Sequence, residues 1–149
     1  MQPVARVSTC YPDKFGAPRQ SGLVPDARAR LVFEPPFRHP DAVRGLEGFS
    51  HLWLVWVSSK NVDKGWSPTV RPPRLGGNVR MGVFATRAPF RPNPIGLSAV
   101  RLERVELHPL DGPVLHLSGV DLVDGTPILD IKSYVPLADC IPEASEGFT

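Results

Sequence analysis

The chain has 149 residues, of which 42% are hydrophobic, so it is long enough for one globular domain with its own core. Its 18 prolines and 13 glycines fall below the share typical of disordered low-complexity chains and favour many turns between short strands. With a net charge of +2, no signal-peptide segment and no run near the roughly 18 apolar residues of a membrane span, we expect a cytoplasmic protein.

The first half of the chain predicts short strands separated by turns. Residues Val4 to Ser8 and Ala29 to Phe33 have the apolar and β-branched composition of strands, and Pro35-Pro36 ends the second strand. Asp41 to Leu46 predicts one or two helical turns with Asp41 as the N-cap.

The most apolar stretch is FSHLWLVWV, residues Phe49 to Val57, which predicts a strand buried on both faces or at a subunit interface. We interpret His51 within it as a hydrogen-bonded core residue. Residues 58–79 form a long irregular connection, which in a compact domain indicates a functional segment or disorder. Arg80 to Thr86 predicts a further strand.

The alternation of apolar residues in the second half predicts a curved sheet. The long strand Ile95 to Leu107 changes parity near Glu103-Arg104, which predicts a bulge, and the next strand shows the same change of parity at Gly119. Asp111-Gly112-Pro113 predicts the turn between these strands, and Ile128 to Val135 predicts the last strand. The fold class is all-β: a small antiparallel β-barrel of about seven strands with long irregular loops.

Charge is distributed unevenly along the chain. Residues 64–102 contain seven basic side chains and no acidic one, whereas residues 103–149 contain two basic and nine acidic side chains. A block of one sign attracts polyanions, and six of its seven cations are arginines, which suit bidentate phosphate contacts. The alternative is that these arginines pair with the acidic last third of the chain.

The common catalytic signatures are absent from the sequence. It contains no dinucleotide-binding glycine motif, phosphate-binding loop, zinc-protease motif or nucleophile elbow. The four histidines show no metal-ligand spacing, so we expect no metal site. Cys10 and Cys140 form no C-x-x-C pair and are interpreted as two free thiols, with a long-range disulfide as the alternative.

The segment FATRAPFRPNPIGLS, Phe84 to Ser98, predicts a stiff loop. Each of its three prolines fixes its own φ and biases the preceding residue toward an extended conformation. Such a loop can hold Arg87, Arg91 and Asn93 at fixed positions in a binding site. The alternative is a rigid surface turn between two strands.

Two carboxylates flank the segment DGTPILD. Asp124 or Asp130 could act as a general base or accept hydrogen bonds from a ribose or an amino group. The alternative is turn chemistry, because Asp before Gly is a common turn residue.

Five motifs, in order, cover most of the chain and carry a family resemblance. They are KFGAPRQ (14–20), DAVRGLEGFSHLW (41–53), RPPRLGG (71–77), MGVFATRAPFRPNPIGLS (81–98) and DLVDGTPILDIKSYVP (121–136). With them the sequence closely resembles the TrmO (YaeB, TsaA-like) family of S-adenosylmethionine-dependent tRNA methyltransferases.

The resemblance implies a small antiparallel β-barrel that works as a homodimer and binds S-adenosylmethionine. It also implies methylation of the N6 nitrogen of threonylcarbamoyladenosine, next to the anticodon of certain tRNAs. At positions 59–60 this chain has Ser-Lys where relatives have His-Gln. The family's donor-binding positions fall on Pro18, Arg19, Gln20, Ser59, Lys60, Arg87, Leu97, Asp124, Gly125, Thr126, Pro127 and Ile128.

On this interpretation, Arg19 or Arg87 holds the donor carboxylate and Leu97 lines the adenine pocket. Asp124 or Asp130 is the candidate base. The candidate substrate and tRNA contacts are Arg71, Arg74, Arg80, Arg91, Asn93 and Lys132.

We expect residues 1–136 to form the barrel domain and residues 137–149 to be a tail that begins a linker toward a C-terminal domain. The alternative function is a non-catalytic tRNA- or RNA-binding β-barrel module, which the basic block favours.

Overall fold

The computed structural model describes residues 1–9, 27–72 and 76–147, which form a protein of strands and short turns. The strands are β1 Ala5–Ser8, β2 Arg28–Phe33, β3 His51–Val57, β4 Thr69–Val70, β5 Met81–Gly82, β6 Ile95–His108, β7 Gly112–Ser118 and β8 Pro127–Ser133. The helical segments are the one-turn helix α1 Pro136–Asp139 and 3₁₀ turns at Pro35–Phe37, Pro40–Val43, Leu46–Gly48, Ser59–Lys64 and Val83–Ala85.

The chain divides into two compact units, of which the first comprises Met1–Val57 and Leu97–Tyr134. This unit is a closed barrel with the strand order β1-β2-β7-β6-β3-β8. The prediction of an all-β antiparallel barrel is therefore confirmed. The described barrel has six strands rather than about seven, because β4 and β5 pair with each other in a separate two-stranded sheet.

The barrel interior is filled by the side chains of alternate residues along each strand. In β3 the buried residues are Leu52 and Leu54, and in β2 they are Ala29, Leu31 and Phe33. This alternation follows from the two-residue period of a strand with one face toward the core. β3 is therefore buried mainly on one face within its own unit, not on both.

A bulge adjusts the long strand to its partner. The register of β6 against β7 shifts between Leu102 and Arg104, so Glu103 is the extra residue, as the change in parity predicts. The second change of parity falls at the end of the next strand. β7 ends at Ser118 and Gly119 has φ of 70°, and Leu117 and Val120 on either side of it are both buried in the core. The Val120 N–H still donates to the Ala27 carbonyl at 3.3 Å.

The turn between β6 and β7 is at the predicted place, since His108 pairs with Gly112 across it. Gly112 has φ of 67°, and a Cβ there would lie 3.1 Å from the Cβ of Arg38. Both the backbone conformation and the close approach therefore require glycine.

Two local predictions are wrong for identifiable reasons. The N-cap of the turn Pro40–Val43 is His39, not Asp41, because Pro40 occupies the first helical position and His39 Nδ1 accepts a hydrogen bond from the Asp41 N–H. The strand predicted over Arg80 to Thr86 is limited to Met81–Gly82. The chain then forms the turn Val83–Ala85, closed by a Thr86 N–H bond to the Val83 carbonyl.

The second unit comprises Ser58–Gly96 and Val135–Thr149. Its only sheet among the described residues is the β4–β5 pair, in which Thr69 faces Gly82 and Val70 faces Met81. Cys140 is an exposed free thiol, and Cys10 lies outside the described residues. Across the described ranges, no helix is both long enough and apolar enough to cross a membrane.

Replacing Leu115 by Ala tests the barrel core. Leu115 is fully buried, so Leu115→Ala is expected to lower the free energy of unfolding by about 2–5 kcal/mol through lost burial and a residual cavity. Leu107→Ala is the matched control, because Leu107 is 64% exposed, and it is expected to change stability by about 0.5 kcal/mol or less. Urea unfolding followed by circular dichroism measures both, and equal losses would contradict the assigned core.

Candidate active site

The turn that carries the DGTP motif is fixed to the first strand of the barrel. The Gly125 N–H donates to the Val7 carbonyl at 2.8 Å, and the Val7 N–H donates to the Thr126 carbonyl at 3.2 Å. Arg6 Nη1 donates to the Gly125 carbonyl at 3.2 Å, and Gly125 has φ of 80°, which glycine adopts without strain. The backbone of this turn is therefore held on both sides.

Side chains in the turn and the strand after it face different surroundings. Thr126 is 4% exposed and its hydroxyl donates to the Val123 carbonyl at 2.7 Å, while Pro127 and Ile128 are buried. These three residues therefore present no exposed side chain to a ligand. The Asp124 carboxylate is exposed, and its Oδ1 accepts a hydrogen bond from the Thr9 N–H at 2.9 Å.

Asp130 and Lys132 lie on the outer face of β8. Their side chains form an ion pair of 3.2 Å and are 52% and 69% exposed, and Asp130 Oδ1 also accepts from the Ile131 N–H. In the barrel register Asp130 pairs with Val55 and Lys132 with Trp53. The structure thus places the two candidate base residues differently: Asp124 in a fixed turn, and Asp130 beside a cation on an exposed strand.

A buried chain of hydrogen bonds connects three segments of the barrel. Trp56 Nε1 donates to Ser98 Oγ at 3.0 Å, and Ser98 Oγ donates to Asp121 Oδ1 at 2.8 Å. Ser98 is 1% exposed, whereas its neighbour Leu97 is 48% exposed on the opposite side of β6. These two hydrogen bonds fix the backbone of β6 beside Leu97 and the segment that runs from Asp121 into the DGTP turn.

In the second unit, Arg91 organises the proline-rich loop. Its Nη1 donates to the carbonyl oxygens of Val83, Thr86 and Ala88 at 3.0, 2.7 and 3.3 Å. Its guanidinium also lies 5.6 Å from the ring centroid of Phe84. Arg91 therefore stabilises the loop from inside, a role that the sequence pattern did not predict.

Several side chains of this unit that the sequence assigned to the donor or the tRNA are exposed. Arg87 and Asn93 are exposed, and neither side chain makes a hydrogen bond or ion pair with the described residues 58–72 and 76–96. Arg71 is exposed, and Arg80 donates from Nη1 to Thr69 Oγ1 at 3.1 Å. The predicted site residues Pro18, Arg19, Gln20 and Arg74 lie outside the described residues.

Asn61 has a buried oxygen without a partner. It follows the exposed pair Ser59-Lys60 in the 3₁₀ turn, is 7% exposed, and donates from Nδ2 to Ser58 Oγ at 2.6 Å. Its Oδ1 accepts no hydrogen bond from the part of the chain that the structure describes. A buried acceptor in this state is unfavourable unless a ligand or water supplies a donor.

His51 is half-buried at the start of β3, where its Nδ1 lies 2.7 Å from Ser50 Oγ and its ring packs against Tyr134. It is hydrogen-bonded, as predicted, but it is half-buried and not part of the core. Among the described residues, no group of three or more His, Cys, Asp or Glu side chains has an arrangement that could hold a metal ion.

Two glutamates on the outer barrel face are held in the ionised form. The hydrogen bond from Ser118 Oγ lowers the pKa of Glu103, with smaller contributions from Arg28 and Arg101, and burial opposes the shift. The hydrogen bond with His116 lowers the pKa of Glu106.

The sequence analysis assigned no role to three polar residues that the structure buries or engages in hydrogen bonds: Asn61, Ser98 and Asp121. For Ser98 a signal existed, because a hydroxyl at an inward position of an apolar strand must find a hydrogen-bond partner. For Asn61 there was none, since its burial depends on how the irregular segment folds.

Removing the Ser118 hydroxyl tests the electrostatics of the outer face. In Ser118→Ala the pKa of Glu103 is expected to rise toward its ordinary value, while the pKa of Glu106, set chiefly by His116, stays unchanged as an internal control. Carboxyl titration by NMR measures both.

The sign of the accompanying stability change follows from linkage. Folding lowers the pKa of Glu103, so its contribution to stability is present above the unfolded pKa and disappears as pH falls through the folded pKa. The stability difference between wild type and Ser118→Ala should therefore narrow on acidification. An unshifted Glu103 in the variant would contradict the assigned hydrogen bond.

Comparison with known proteins identifies the family of this chain. The family described as "tRNA-methyltransferase O N-terminal domain" matches residues 6–140. The chain is 56% identical to the tRNA (adenine(37)-N6)-methyltransferase of Escherichia coli K12 over 93% of its own length and 58% of that protein. It is 50% identical to a putative S-adenosylmethionine-dependent methyltransferase, RcsF, of Pseudomonas aeruginosa over 97% of its own length and 58% of that protein.

A solved structure agrees with the sequence comparison. The crystal structure of TrmO from Pseudomonas aeruginosa matches with a TM-score of 0.79 and 44% identity over 98% of this chain and 60% of that one. The chain thus spans less than two thirds of the length of these relatives. It belongs to the tRNA-methyltransferase O N-terminal domain family.

Proposed function

We propose that this chain binds S-adenosylmethionine and transfers its methyl group to the N6 nitrogen of adenosine 37 in tRNA, with threonylcarbamoyladenosine as the substrate form. The names of its relatives support the donor and the methylated position. The threonylcarbamoyl group comes from the family resemblance. The same resemblance suggests a cytoplasmic homodimer, which is part of the proposal.

The observation that carries the proposal is the internal fixation of the proline-rich loop by Arg91. One guanidinium nitrogen contacts three carbonyls of the loop, which leaves the side chains of Arg87 and Asn93 exposed on a stiff frame. Methyl transfer is an in-line displacement between two bound molecules, so much of its rate depends on positioning. A frame that is rigid before binding supplies that positioning at low entropic cost.

The described residues fit the donor's chemistry. S-adenosylmethionine, when bound, supplies a methyl group on a sulfonium sulfur, and it also carries a carboxylate, an ammonium group and an adenine. Arg87 offers an exposed guanidinium for a carboxylate, and the unpartnered Asn61 Oδ1 offers a buried acceptor for an N–H group. Leu97 offers an exposed apolar side chain, which suits an adenine ring.

The acceptor nitrogen of threonylcarbamoyladenosine belongs to a urea and is a poor nucleophile, so a proton acceptor should assist the transfer. Asp124 suits this role better than Asp130. The Thr9 N–H orients one oxygen of Asp124, and its other oxygen accepts no hydrogen bond from the described residues. The carboxylate of Asp130 is already engaged by Lys132.

The proposed tRNA contacts divide into substrate and backbone groups. Asn93 is available for the threonyl carboxylate or a nearby phosphate, whereas Arg91 is assigned to the loop rather than to the substrate. The exposed side chains of Arg71, Arg80 and Lys132 suit contacts with the tRNA backbone.

Transfer of a labelled methyl group tests the proposed function. The chain is incubated with labelled S-adenosylmethionine and tRNA, with and without the threonylcarbamoyl group. Label is expected only in the modified tRNA, and calorimetry is expected to show donor binding. No transfer to either tRNA would contradict the function proposed for this chain. Donor binding below detection, combined with tRNA binding, would favour a non-catalytic RNA-binding module instead.

Replacing the two carboxylates separates the candidate bases. Asp124→Asn keeps the acceptor for the Thr9 N–H but removes the base, so single-turnover methylation at saturating donor is expected to slow by about 10²–10⁴-fold. Asp130→Asn is the matched control and is expected to react within a few-fold of wild type. Wild-type rates in both variants would eliminate a carboxylate base, and the reverse order would assign the role to Asp130.

A further inference from the structure

The outer face of the barrel carries two arginines and a histidine in a row across three neighbouring strands. The register places Arg30 of β2 opposite His116 of β7, and His116 opposite Arg104 of β6. Neighbouring strands lie about 4.8 Å apart, so Arg30 and Arg104 are separated by about 10 Å along the row.

A second row lies beside the first. It places Arg28 of β2 and Arg101 of β6 on either side of Ser118 of β7. The bulge residue Glu103 lies between the rows and is paired with both of these arginines. We call the two rows the basic face, defined by Arg28, Arg30, Arg101, Arg104 and His116.

The fold does not account for this concentration of positive charge. The pairs of Arg28 and Arg101 with Glu103 measure 3.2 and 3.5 Å, and that of Arg104 with Glu106 measures 3.9 Å. Their arginine side chains are 64%, 58% and 62% exposed, and ion pairs so exposed are screened by solvent and contribute little to stability.

Arg30 is the least compensated member of the basic face. It is exposed and makes no hydrogen bond or ion pair with a side chain of the described barrel residues. Among the described residues, four guanidinium groups therefore face two carboxylates, and both carboxylates are hydrogen-bonded by their own neighbours, Ser118 and His116. The arginines are free to turn toward an anion without leaving a buried charge unpaired.

A groove of about 370 Å³ runs through the basic face. Its lining includes Arg28, Arg30, Arg104 and His116, with Glu103 as the one carboxylate among the described residues that line it. No Phe, Tyr or Trp side chain is among those lining residues, so the groove offers no platform for stacking bases. It suits several phosphates in sequence, which is the chemistry of a nucleic-acid backbone.

We propose that the basic face binds the phosphate backbone of the substrate tRNA through residues of β2, β6 and β7, none of which belongs to the DGTP turn or the proline-rich loop. The identity of the RNA rests on the proposed function, whereas the phosphate chemistry rests on the basic face alone. The contact is independent of base sequence, because arginine contacts with phosphates position a nucleic acid without reading it.

The salt dependence of tRNA binding tests this contact. The variants are Arg30→Gln, Arg104→Gln and the double variant. Arg44→Gln is the control, because it removes the same charge from a residue outside the basic face, at the end of the 3₁₀ turn Pro40–Val43. Fluorescence anisotropy with an unmodified tRNA transcript gives the slope of log Kd against log salt. The slope is expected to fall by about 1 for each arginine replaced on the basic face, and to stay unchanged in the control.

Four further outcomes complete the test. A wild-type slope in the double variant would overturn the proposal, as would equal losses in Arg44→Gln. Binding of inorganic phosphate that depends on Arg30 and Arg104, with an unchanged tRNA slope, would also overturn it and assign the groove to free phosphate. Altered slopes in a chain that transfers no methyl group would support the basic face and contradict only the proposed function.

Discussion

The closure of the barrel between its first and last strands is the constraint on which the first unit depends. Ala5 pairs with Ile128 and Arg6 with Pro127, so segments from opposite ends of the chain form one ladder. The same ladder continues into the hydrogen bonds between Val7 and the DGTP turn. Because closing the barrel and shaping the turn use one set of hydrogen bonds, the turn is as stable as the barrel, and a ligand that contacts it meets a preformed backbone.

Hydrogen bonds from partly buried polar side chains fix the backbone in both units. In the barrel, Ser98 donates to Asp121 and accepts from Trp56, so three segments share one buried oxygen. In the second unit, Arg91 satisfies the carbonyls of a loop whose prolines lack N–H donors to pair with them. In both units, a short hydrogen-bonded network fixes the backbone, as regular secondary structure does elsewhere. The side chains of Leu97 and Arg87 adjoin these networks and are exposed for binding.

The features of the fold that the sequence predicted correctly are those that depend on local pattern. The all-β class, the bulge at Glu103 and the turn at Gly112 follow from residue parity and from turn chemistry, which are local properties. Prediction failed where distant atoms decide. Arg87 and Arg91 look equivalent in the motif, yet only Arg91 is engaged by the loop, because the direction of three carbonyls depends on the folded turn. The burial of Asn61 has the same origin and left no pattern in the sequence.

The distribution of charge gives a second lesson about sequence and surface. The basic block of residues 64–102 is conspicuous in the sequence, yet only Arg101 of the basic face belongs to it. Arg28 and Arg30 come from a segment of nearly balanced charge, and Arg104 comes from the acidic last third. Strand pairing collects them on one side of the sheet, since residues far apart in sequence become neighbours across a ladder. A net charge counted along the chain therefore understates the local potential that a polyanion would meet at this face.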